Sequence, residues 1–93
     1  MKNINAYSDP GHGSAKVKRQ ELIDLGIADK ISSYSYQLND NVYLEEDCDL
    51  SIYIDALLNV KGITRDKIKF TMHNTNRQSR IRTYENYYNK GSK

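Results

Sequence analysis

A chain of 93 residues, 38% of them apolar and 28% charged, with a net charge of +2, has room for one domain with a thin core and not for two. Its single cysteine, Cys48, excludes a disulfide framework, and no apolar run nears the ~18 residues of a membrane-spanning helix. Eight tyrosines against one phenylalanine and no tryptophan place much of the apolar surface in rings that also carry a hydroxyl, which suits half-buried and contact positions.

Ile4 to Ser8 is predicted as a short strand. Pro10 and Gly11 predict a type II turn, with Gly11 supplying the positive φ, and Ser14 to Lys18 returns as a second strand. A first helix is predicted from Arg19 to Leu25, ended by Gly26 in the left-handed conformation with Ile27 packing back on the last turn. Ser33 to Leu38 alternates small polar and large residues with period two, and Val42 to Glu45 follows as its hairpin partner across Asn39, Asp40 and Asn41. A second helix opens around residues 46–49, where Asp47 or Asp49 can cap it. Leu50, Tyr53, Ile54, Leu57 and Leu58 form its apolar stripe, and Gly62-Ile63 repeats the ending of the first helix. Lys67 to His73 alternates once more, with Ile68, Phe70 and Met72 expected to face the core.

The order β-β-α-β-β-α-β predicts an α+β fold: a small antiparallel or mixed sheet of about five strands with both helices on one face. A single domain is expected over residues 1–88, with residues 89–93 as a frayed tail. Exposed sheet edges leave a homodimer through edge pairing open. The first residues lack the apolar run of a signal peptide, and with one cysteine the cytoplasm is the expected location, with no membrane partner.

Charge is segregated. Residues 31–66 carry net −5 and residues 67–93 carry net +6. Either the two regions face each other in the fold, or one of them meets a charged partner. The acidic set is Glu45, Glu46, Asp47 and Asp49, readable as a solvated helix cap or as a partner-binding cluster. The basic set, Lys67, Lys69, Arg77, Arg80 and Arg82, interleaves with Tyr84, Tyr87 and Tyr88. That pairing serves nucleic acid through phosphate contact and base stacking, serves protein interfaces equally, and also fits a segment docked on the sheet through Ile81 and Tyr84.

The loop Asp9, Gly11, His12 and Gly13 has two readings: a tight turn, or a cradle of N–H groups with His12 as acid or base beside Asp9. It lacks the lysine and the strand-turn-helix setting of a phosphate loop. His12, His73 and Cys48 have no ligand spacing, so no metal and no cofactor is expected. Cys48 lies among carboxylates, which disfavour its thiolate. No catalytic set is present, and the expectation is a protein that is not an enzyme.

Four segments together, Ser8 to Gly13 with Lys16-Val17, Ile31 to Tyr36, Tyr43 to Leu50, and Ser79 to Arg82 with Tyr84-Glu85, resemble short proteins encoded by bacteriophages and prophages. The likeness runs from residue 7 to about residue 88, and those relatives carry tryptophan where this chain has Ser14. The resemblance implies action by binding: an inhibitor of a bacterial defence system, anti-CRISPR-like, that engages a bacterial protein of a nucleic-acid-processing complex in the host cytoplasm. It carries no functional residue over. The alternative is a nucleic-acid-binding module built on the basic and aromatic C-terminal segment.

Overall fold

Alternation along the first strand puts Ile4 and Ala6 on one face and Asn5 and Tyr7 on the other, which is what a sheet covered on one side requires. The computed structural model describes residues 2–75 and 80–88. Strand β1 (Lys2–Ser8) pairs antiparallel with β2 (Gly13–Lys18), which leads directly into helix α1 (Arg19–Asp24). Strands β3 (Tyr36–Leu38) and β4 (Asn41–Glu45) form a hairpin, followed by helix α2 (Asp49–Asn59). After a 3-10 turn at Arg65–Lys67 come β5 (Ile68–Asn74), a second 3-10 turn at Arg80–Thr83 and the two-residue strand β6 (Glu85–Asn86). The sheet is six-stranded in the order β5-β1-β2-β4-β3-β6, antiparallel throughout except for the parallel pair β1 and β5. The α+β class is therefore as expected, and the sheet is mixed.

Both helices cover one face. Ala15 and Val17 of β2 stand in register with Leu44 and Val42 of β4, and this row packs with Ile4, with Leu22 of α1 and with Tyr53, Ile54 and Leu57 of α2. Burial of this apolar set is the main force holding the sheet to the helices. The Tyr53 hydroxyl donates to Glu21 Oε2 at 2.6 Å, and Lys2 Nζ lies 2.7 Å from the same oxygen, so one carboxylate joins β1, α1 and α2. Both helices end as the glycines predict. Gly26 has φ 74° and Gly62 has φ 67°, and the amide of the next isoleucine bonds back into the helix, Ile27 N–H to the Leu22 carbonyl at 3.0 Å and Ile63 N–H to the Leu57 carbonyl at 3.1 Å.

Several expectations are corrected. Gly11 does not take a positive φ, so the first turn is not type II. Instead the Asp9 side chain accepts the Gly11 and His12 amides, and the Asp9 N–H donates to the His12 carbonyl at 2.9 Å. The third strand starts at Tyr36, because Ser32 and Ser35 turn the preceding segment onto Asp49. Neither Asp47 nor Asp49 caps α2; the Glu45 carboxylate accepts the Asp47 and Cys48 amides at 2.9 and 2.8 Å. On β5, Phe70 and Met72 share the face of Ile4 and Ala6 but are 39% and 56% exposed, since neither α1 nor α2 covers them. The C-terminal segment forms both a 3-10 turn and a short strand, β6, and the resulting six-stranded sheet agrees with the expected sheet of about five strands. The expected frayed tail, residues 89–93, lies outside the described residues.

Candidate functional site

The face of the sheet away from the helices is tyrosine-rich. Tyr7 of β1 stacks on His73 of β5 with ring centroids 4.8 Å apart and meets Tyr43 of β4 edge-on at 6.1 Å, and Tyr43 lies 5.3 Å from Tyr84. Tyr36 stands opposite Tyr43 in register. Between Tyr7 and Glu45 on the neighbouring strands the register places Ser14, a small side chain among large ones. The gap it leaves is a cavity of about 440 Å³ walled by Tyr7, Tyr34, Tyr36 and Tyr43, with Ile81 and Asn86 on the side of the second 3-10 turn and β6.

The rim of this cavity is built at one end of the sheet, where β1 and β4 finish and β2 and β3 begin. The Asp9-to-Gly13 loop and the turn into α2 meet there. The Glu46 N–H donates to the Gly13 carbonyl at 3.2 Å, and the Glu46 carboxylate lies against the Gly13 Cα, in space that a Cβ would otherwise occupy. Asp9, Glu45, Glu46 and Asp47 all line the cavity, with His12 and Cys48 beside them, and among the described residues no lysine or arginine does. Two of the carboxylates are committed to the backbone, Asp9 to its own loop and Glu45 to the helix approach. The carboxylates of Glu46 and Asp47 are exposed and accept no hydrogen bond among the described residues. Burial, and then the neighbouring Tyr84 and Tyr7, hold the Tyr43 hydroxyl above its ordinary pKa.

The structure thus joins two segments read separately in the sequence, the loop of Asp9, Gly11, His12 and Gly13 and the acidic run Glu45, Glu46 and Asp47. Asp49 is not with them. It is 1% exposed, accepts the Ser32 N–H and the Ser32 and Ser35 hydroxyls, and anchors the segment before β3 to the start of α2. The expectation of Asp49 as a partner-facing residue is corrected on that ground. The described members of the basic and aromatic set are spread across the sheet. Lys67 and Lys69 lie at the β5 side of the sheet, whereas Tyr87 follows β6 at the opposite edge. Tyr87 is buried, its hydroxyl donating to the Ala28 carbonyl and its ring 5.6 Å from the Arg19 guanidinium, so it is a core residue and not an exposed stacking platform. Tyr84 is half-buried against Tyr43, Arg80 and Arg82 belong to the 3-10 turn that carries Ile81, and Arg77 lies outside the described residues.

Sequence reasoning missed Tyr7, Tyr34, Tyr36 and Tyr43 as site residues. Their signal was present: Tyr34 and Tyr36 sit two apart in an alternating run, and Tyr43 interrupts an otherwise aliphatic Val42-Leu44 pair. Among the described residues no group of three or more His, Cys, Asp or Glu is placed to hold a metal ion, and no helix is long and apolar enough to cross a membrane. What the arrangement can do chemically is bind: aromatic faces in a concave site, with carboxylates at its mouth that are unpaired among the described residues. No family model, curated protein or solved structure matches the chain.

Proposed function

We propose that this chain works by binding a bacterial protein through the open face of its sheet, as a phage-type inhibitor of a defence system of the anti-CRISPR kind would. The observation that carries the reading is the tyrosine-walled cavity with Glu46 and Asp47 at its mouth, both exposed and unpaired among the described residues. Tyrosines deliver contact area at low conformational cost, and carboxylates at a rim steer a basic partner to the site. Nucleic-acid-facing surfaces of defence nucleases are basic, which is the complement this rim requires. The same rim repels phosphate, which weighs against nucleic acid as the direct ligand of this face.

The test is capture of proteins from bacterial lysate, with nuclease added throughout, by the wild-type chain and by the Glu46→Lys/Asp47→Lys double variant. Glu45 is left in place because it holds the turn into α2. A partner retained by the wild type and weakened about tenfold or more by the double variant is the expected result. Equal retention by both overturns the role of the rim. Nucleic acid recovered without nuclease, with an affinity that falls steeply with salt, would promote Lys67 and Lys69 instead.

A further inference from the structure

We infer that the cavity on the open sheet face receives an arginine side chain of the partner, an inference that rests on the protein-binding reading above. Three observations converge on a guanidinium. The walls are faces and edges of Tyr7, Tyr34, Tyr36 and Tyr43, and a planar cation packs on such rings through both dispersion and the ring quadrupole. The mouth carries the Glu46 and Asp47 carboxylates, whose acceptor oxygens are unused among the described residues and match the fork of N–H donors on a guanidinium. At about 440 Å³ the cavity falls within the size range of small-ligand sites, ample for one long side chain and the backbone on either side of it.

The other ligand classes fit less well. An aliphatic side chain would satisfy the rings but strip water from carboxylates without pairing them. A nucleotide would stack its base but bring phosphate to an acidic mouth. A lysine offers charge without the planar face or the paired donors, and its ammonium gives up its water less readily than a guanidinium does.

The experiment titrates the isotope-labelled, full-length chain with the capped tripeptide acetyl-Gly-Arg-Gly-amide, followed by NMR at the backbone amides of Tyr36, Tyr43, Asp47 and Cys48. The matching lysine tripeptide and inorganic phosphate serve as the other probes. The expected result is saturable shifts at these amides with the arginine peptide, about tenfold weaker binding of the lysine peptide, and none of phosphate. Tyr34→Ala, at a residue that is 74% exposed and outside the core, should weaken the arginine peptide about fivefold. Glu46→Gln should weaken it by a similar factor. Ser14→Trp, which sets an indole in the gap between Tyr7 and Glu45, should abolish it.

Equal affinity for arginine and lysine, or undiminished arginine binding in Ser14→Trp, overturns the inference, as does the lack of any shift. Lysate capture by Ser14→Trp then separates the two levels. A partner still retained, and still lost on reversing Glu46 and Asp47, removes the arginine pocket while leaving the protein-binding reading intact. Phosphate shifting the same amides overturns both.

Discussion

The two faces of the sheet are made from the same strands and obey different rules. On the covered face the alternating positions are Ile4, Ala15, Val17, Val42 and Leu44, all buried and all aliphatic. On the open face the intervening positions are Asn5, Tyr7, Ser14, Tyr36 and Tyr43, polar or amphipathic. An open antiparallel face needs only to be wettable, and asparagine, serine and lysine would serve. Rows of tyrosine around a serine-sized gap go beyond that requirement. The covered face is therefore explained by stability, and the open face asks for a second explanation, which binding supplies.

The contrast breaks most visibly in the covered row. Leu44→Ala removes atoms from a fully buried position and should cost about 3 kcal/mol in chemical denaturation. A loss below that of an ordinary surface substitution would mean that the covered row does not carry the fold. The two kinds of carboxylate, Asp47 and Asp49, sharpen the same contrast two residues apart. Asp49→Ala strands two serine hydroxyls and the half-buried Ser32 amide, an expected loss of roughly 2–3 kcal/mol, whereas Asp47→Ala should stay within about 0.5 kcal/mol in the same denaturant titration.

A smaller effect is read from pH. Tyr53, completely buried and bonded to Glu21, has its pKa raised well above the ordinary value of 10.0 by burial first and by the carboxylate second. Above pH 10 the unfolded chain releases this proton while the folded chain keeps it, so the unfolded state binds fewer protons and stability falls as pH rises. The stabilisation is complete below pH 10 and declines above it, and Tyr53→Phe should flatten the alkaline limb of a stability profile. A limb that is equally steep in Tyr53→Phe would reassign it to Tyr43 and Tyr87, which burial shifts in the same direction.

Elements whose cause is local were legible in the sequence. The stripe from Leu50 to Leu58 forms α2, the Gly26-Ile27 and Gly62-Ile63 pairs end the helices, and the hairpin of β3 and β4 turns where the asparagines sit. What was not legible depends on groups far apart in the chain. Asp49 reads as one more carboxylate in an acidic run until Ser32 and Ser35 fold back on it. Phe70 and Met72 alternate like core residues, but their burial depends on whether a helix is long enough to reach the outermost strand, and α2 does not cover it. Tyr87 looks like a stacking platform because nothing near it announces the Ala28 carbonyl that its hydroxyl finds. The site follows the same pattern. Its two rim segments were each visible, but their meeting across Gly13 is a product of strand order.

Strand order also sets a timetable for synthesis. β1 lies inside the sheet, yet its parallel neighbour β5 stands 66 residues further along the chain, as in the pairing of Ser8 with Asn74. While the polypeptide is being made, β1 can zip onto β2 at once, but its other edge stays open until the ribosome has delivered nearly the whole domain. Closing so long a loop is costly in entropy and slow, so this pairing is the natural last step of folding. A nascent chain that stalls after α2 would expose the β1 edge with Ile4 and Ala6 in its row, a template for adhesion to other chains. The parallel pair thus makes the domain an all-or-none product of translation, with no shorter piece that covers its own sheet.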